Sequence, residues 1–148
     1  MAAKSDKSYR VSIECVNGYP PRDYHWVRKL EIPESHSLLQ IHWLMIDLLD
    51  FEDDHLFEFF GSRDGWRRHQ VLVESDTYDE HIEGYQSLRL ADVYPLPRLR
   101  LYYRFDLGNK WTFAFKNPRR VACRDDIPLL LEESGENPRQ YPEPDFYF

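Results

Sequence analysis

Hydrophobic and polar positions alternate so regularly through residues 98–115 that strand register can be read from them. Leu99, Leu101, Tyr103, Phe105, Trp111, Phe113 and Phe115 hold the odd positions, and Arg98, Arg100, Arg104, Asp106, Lys110 and Thr112 hold even ones. Period-two alternation on both sides of a Gly-Asn turn predicts a β-hairpin with one buried face. A loop at Leu107–Asn109 sets Phe105 opposite Trp111 and Tyr103 opposite Phe113, with Asp106 facing Lys110 on the wet side.

The same period gives a first strand through Tyr9, Val11, Ile13 and Cys15. Asn17-Gly18 is a turn signal. A second strand is expected from about Tyr24 to Ile32, with Trp26, Leu30 and Ile32 on one face. Arg28 falls on that face too, so it needs a bulge or a carboxylate partner. After Pro33 the period changes. Ser35 or Ser37 can cap a helix running to about Leu49. That helix is so apolar that the sheet should cover one side and the 119–135 region another. Leu56–Phe60 and Val71–Glu74 read as short strands, Leu88–Val93 as a helical turn, and Ile127–Glu133 as a helix.

Composition narrows the class. A chain of 148 residues, 42% hydrophobic and 16% aromatic, is most simply one domain able to bury roughly two-thirds of its unfolded surface. No apolar run approaches the ~20 residues of a membrane span. The start, Met-Ala-Ala-Lys-Ser-Asp-Lys-Ser, carries no apolar h-region, and Cys15 and Cys123 lack the spacing of a metal or redox pair. A cytoplasmic protein with free thiols is expected. The net charge of −7 is concentrated at the end. Residues 125–148 hold seven acidic groups against one basic, Arg139, and so carry −6 of it. Lys116, Arg119, Arg120 and Arg124 lie just before that stretch, where an acidic tail can fold back onto them.

Several motifs together resemble a known family. Pro20-Pro21 leads to Trp26-Val27-Arg28, then Ile32-Pro33 and Leu39-Gln40-Ile41-His42. Asp54-His55-Leu56-Phe57-Glu58-Phe59, Leu90-Ala91-Asp92-Val93 and Tyr103-Arg104-Phe105-Asp106-Leu107-Gly108-Asn109-Lys110-Trp111 follow. This order is similar to that of the plasmid open-reading-frame-three-like family, also labelled transposon passenger proteins, over about residues 8–117. The resemblance implies an α+β fold found in plasmids, phages and mobile elements of prokaryotes. It implies no reaction.

The chemistry-bearing residues are few. His42 and His55 match family motif positions, but a metal site needs such ligands to converge with carboxylates such as Asp54 or Glu58. No HxxxH, HxH or CxxC spacing supports that, so structural histidines are expected, with no metal and no cofactor. His55, Asp54 and Asp106 are the residues available to a hydrolase. The plainer role for Asp106 is to bond turn amides. No GxSxG or Gly-rich phosphate loop occurs. Arg98, Arg100, Tyr102 and Arg104 form a stripe able to meet phosphates or an acidic partner. Tyr141, Phe146, Tyr147 and Phe148 make a proline-stiffened aromatic tail, expected to dock in a groove of this chain or a partner, with Glu143 or Asp145 near the basic run.

The architecture expected is α+β: a mixed, largely antiparallel sheet packed on a central helix, resembling small β-grasp-like domains. Residues 8–117 form the core and 118–148 an acidic extension. The function expected is a non-enzymatic protein-interaction module of a mobile element or phage/plasmid-related system, acting as a monomer or weak homo-oligomer with a protein partner. Neither membrane association nor direct nucleic-acid binding is expected. The alternatives are an acidic inhibitor or mimic acting on a nucleic-acid enzyme, in defence or anti-defence, and a hydrolase.

Overall fold

The computed structural model describes residues 6–22, 24–74 and 88–141. The alternating first segment is strand β1 (Lys7–Asn17), and the second is β2 (Val27–Pro33). Helix α1 (Leu38–Leu49) follows, then β3 (Phe57–Ser62), β4 (Gln70–Glu74), the short α2 (Leu90–Val93), β5 (Arg100–Phe105), β6 (Trp111–Ala122) and β7 (Leu129–Ser134). The strands make one seven-stranded sheet in the order β4-β3-β5-β6-β1-β2-β7. Every pairing is antiparallel, which corrects the mixed sheet read from the sequence. β2 and β3, joined through α1, do run the same way. However, β1, β6 and β5 lie between them, so they never pair.

The hairpin has the register its alternation predicts: Phe105 faces Trp111 and Tyr103 faces Phe113. Asp106 and Lys110 take left-handed φ angles of 64° and 57° to close the turn. The odd-numbered side chains enter the main core with Val11, Ile13, Trp26, Phe57 and Phe59. On α1, Leu38, Ile41, Met45 and Leu49 join the same core. Ser37 caps that helix in a reciprocal box with Gln40, at 3.1 and 2.8 Å, satisfying amides that a helix start leaves unpaired.

Three expectations need correction. The even face of the hairpin is wet only at its ends, not from Tyr102 to Asp106 or at Thr112 and Ala114. Phe60, Tyr102 and Ala114 form a second buried cluster there, and Asp106 is only 5% exposed. The loop after β3 closes over this face. Ser62 Oγ accepts from the Asp64 and Gly65 amides, and Asp64 Oδ1 from those of Trp66 and Arg67. Second, Ile127–Glu133 is not a helix. β7 pairs with β2, with Glu132 on Lys29 at 3.1 Å, and edge pairing overrides the helix propensity of Leu and Glu. Third, residues 119–135 extend the sheet rather than cover α1, and Trp43 on that helix stays 54% exposed. β6 also runs through residue 117, where the core was expected to end.

Arg28 is buried, beside a register shift between Lys29 and Leu30 in the β2–β7 pairing. It donates to the carbonyls of Val27, Ser134 and Gly135 and to Asn137 Oδ1 at 2.9–3.2 Å, while Glu133 stands 3.9 Å away. Oxygens of Val27, Ser134, Gly135 and Asn137 satisfy its donors, and Glu133 is the carboxylate that opposes the cost of its burial.

Candidate functional site

Two groups of side chains lie at opposite ends of the β5–β6 hairpin. At the turn end, the strand period points His42 of α1 inward against β3 and β5. Its ring stacks 3.7 Å from Phe57. Nδ1 lies 2.7 Å from the Tyr103 hydroxyl and Nε2 2.9 Å from Asp53 Oδ1. Burial lowers the His42 pKa, with Asp53 opposing, and burial raises that of Tyr103. His42 is a hydrogen-bonded structural histidine.

Beside it the three hydrolase candidates do converge. His55 Nε2 lies 3.5 Å from Asp106 Oδ2 and 3.7 Å from Asp54 Oδ1. The other Asp106 oxygen accepts from the Gly108 and Asn109 amides at 3.1 Å, which is the turn role. Tyr141 reaches the same point from the C-terminal segment. Its hydroxyl donates to Asp54 and meets His55 Nε2 at 2.7 Å. With its one proton on Asp54, that oxygen can only accept from His55. Gln140 completes the attachment, accepting from the Glu52 amide and donating to the Glu52 carbonyl and to Asp54. Burial and the neighbouring Asp54 raise the Tyr141 pKa, so the phenol stays protonated. Each group is closed onto a neighbour, and the cluster fastens a strap. Among the described residues no group of three or more His, Cys, Asp or Glu side chains is placed to hold a metal ion.

The other end holds the arginines, but not as the stripe read from alternation. Arg104 and Tyr102 are buried. Arg104 donates to Glu58 Oε2 at 3.0 Å, to the Gly65 carbonyl and to Thr112. Arg98 and Arg100 are exposed and line a cleft of about 550 Å³ between the start of β5, the end of β3 and the middle of β6. Arg63 joins them, a residue the sequence reading missed. It arrives because Ser62 pairs with Arg100 across β3 and β5, a register visible only once those strands are known to be neighbours. Among the described residues, Arg63, Arg98 and Arg100 meet no carboxylate. Nearby, Arg10 and Arg124 both bind Glu31, and Arg120 binds Glu34 through two bonds of 3.0 Å. Within the basic run, Arg124 thus pairs with β2, Arg120 with the turn after it, and Lys116 with Glu14 of β1 at 3.3 Å. Glu143, Asp145, Phe146, Tyr147 and Phe148 lie outside the described residues.

The fold and sites define a broad antiparallel sheet, strapped at one end and cleft at the other. The chain belongs to the plasmid pRiA4b ORF-3-like protein family, whose model matches residues 9–140. The match extends past residue 117 through β7 to Gln140. Among solved structures the chain is similar to a protein of unknown function from Methanosarcina mazei Go1, with a TM-score of 0.64 and 18% identity over 86% of this chain and 68% of that one. At that identity the likeness is one of fold. No curated protein matches the chain. No helix among the described residues is long and apolar enough to cross a membrane.

Proposed function

We propose that this chain is a non-enzymatic interaction module of a plasmid- or phage-related system, and that it grips its partner by an anionic group. The observation that carries this reading is the cleft edged by Arg63, Arg98 and Arg100, with no lining carboxylate among the described residues. Unpaired guanidinium groups around a concavity hold donor forks matched to phosphate or carboxylate. The hydrolase reading draws less support, because His55 donates its Nε2 proton to Tyr141 and the two carboxylates beside it are bonded within the molecule. Mimicry of a phosphate backbone by the acidic segments 50–54 and 74–83 draws less within 50–54, while 75–83 lies outside the described residues. Asp53 is held by His42, and Asp54 by Tyr141 and Gln140.

Calorimetry at low salt with pyrophosphate and with a hexaglutamate peptide tests the proposal. At least one of these anions should bind, and the charge reversal R98E/R100E should weaken it by more than about tenfold, since each charge-assisted bond contributes about 1.5–3 kcal/mol. The melting temperature should not move, because both side chains are exposed. An anion bound equally well by the reversed variant, or no anion bound at all, would sink the idea.

A further inference from the structure

The cleft also has an apolar floor, which a bare anion would not need. Leu96, Leu99, Leu101 and Phe115 line it beneath the arginines. Tyr9 and Tyr94 form one wall, their rings 4.7 Å apart and tilted by 48°. We infer that the occupant is a small organic phosphate bearing a planar ring, of the chemical class of a nucleoside diphosphate. The ring would lie on the apolar floor against the tyrosines and the phosphates between the arginine forks. This assignment rests on the binding reading above and names the ligand for it.

Three observations converge on that class. The volume of about 550 Å³ falls within the roughly 300–1,000 Å³ typical of small-molecule sites, and it is concave rather than a flat surface for a folded partner. The arginines come from separate segments: Arg63 follows β3, Arg98 sits in the turn before β5, and Arg100 opens β5. All three nevertheless line the same cleft, so more than one donor fork is available to a pair of phosphates. Arg98 also holds a left-handed φ of 65°. A non-glycine residue holds that conformation against its local preference. The third observation is Tyr94. It is 8% exposed and lines the cleft beside Tyr9, the two rings 4.7 Å apart. A planar ring seated against this aromatic wall gains offset or edge contacts that a bare anion cannot make. An acidic peptide offers carboxylates to the arginines but no ring for the floor.

Calorimetry on the full chain separates the parts of the ligand. The probes are the four common nucleoside 5′-diphosphates, the corresponding nucleosides, pyrophosphate and hexaglutamate. At least one diphosphate should bind more than about tenfold tighter than both its nucleoside and pyrophosphate. R98Q/R100Q and, separately, R63Q should weaken that diphosphate by about tenfold or more with unchanged thermal melts. Tyr9→Ala, which removes one ring of the wall, should weaken the diphosphate while leaving pyrophosphate unaffected. Equal binding of diphosphate and pyrophosphate would overturn the ring assignment and leave an anion site. Binding of hexaglutamate alone would overturn the ligand class while preserving the binding reading. Binding of none of the probes would end both.

Discussion

Glu58 and Arg104 face each other from β3 and β5, their charged groups 3.0 Å apart and both almost fully enclosed. Glu58 also takes Arg68 at 3.0 Å, and the Arg104 guanidinium lies 4.7 Å over the Phe60 ring. Burial lowers the Arg104 pKa and Glu58 opposes that shift. Removing one partner leaves an enclosed charge without its counter-ion. Glu58→Gln should therefore cost about 3–5 kcal/mol, whereas the double replacement Glu58→Leu with Arg104→Leu should be far milder. Urea denaturation of the single and double variants reads both values. A single-variant loss under about 1 kcal/mol would mean that Thr112 and the Gly65 carbonyl suffice to hold the guanidinium. The alternation that located the hairpin gave Arg104 a wet position, because a strand pattern does not reveal that a loop will fold over its polar face.

At the scale of elements, the strap over residues 135–141 ties the sheet to the turn end of the hairpin. It begins at Gly135, where φ is +86° and a Cβ would fall 1.8 Å from the His25 carbonyl oxygen. Beyond it, Asn137 accepts from the Trp26 indole at 2.7 Å, and Gln140 and Tyr141 fasten to residues 52–55. Gly135→Ala should displace the strap's origin and cost at least the roughly 1–3 kcal/mol of a forced backbone conformation, lowering the melting temperature by several degrees. An unchanged melt would show that the strap adjusts freely. The hairpin, β1, β2 and the capped α1 were legible because each announces itself through local period and a cap or turn residue. β7 was not. Leu129-Leu130-Leu131-Glu132-Glu133 has helix-forming residues and no alternation, and only the free edge of β2 makes it a strand. The strap's contacts were not legible, since Tyr141 finds His55 and Asp54 through three-dimensional proximity alone.

The whole molecule assembles its cleft from the ends of β3, the approach to β5 and the bulged middle of β6, so no spacing in the chain announces Arg63 beside Arg98. Overall fold also sets the response to acid. His36 and His42 both have pKa values lowered from 6.5, in each case chiefly by burial. For His42 the groups facing the ring are Asp53, the Tyr103 hydroxyl, Phe57 and Phe105. A base with a depressed native pKa binds fewer protons folded than unfolded, so stability falls as pH drops below about 6.5 and is fully present above it. The carboxylates act in a lower window. The Arg124 and Arg10 bonds to Glu31 lower its pKa from 4.5, and backbone amides lower that of Asp64 from 3.8 to about 2. Their stabilisation is therefore present above those ordinary values and is lost only below them. Between pH 6.5 and 5 the loss belongs to the histidines, at up to about 1.4 kcal/mol per pH unit for each proton difference. Unfolding free energies from urea titrations at pH 7.5, 6.5 and 5.0 should decline across that interval. His42→Gln should lower stability at pH 7.5, where the ring's two hydrogen bonds and its stacking are lost, yet shallow the decline toward pH 5. An undiminished slope in the variant would show that His42 is already protonated in the folded chain, with Asp53 outweighing burial.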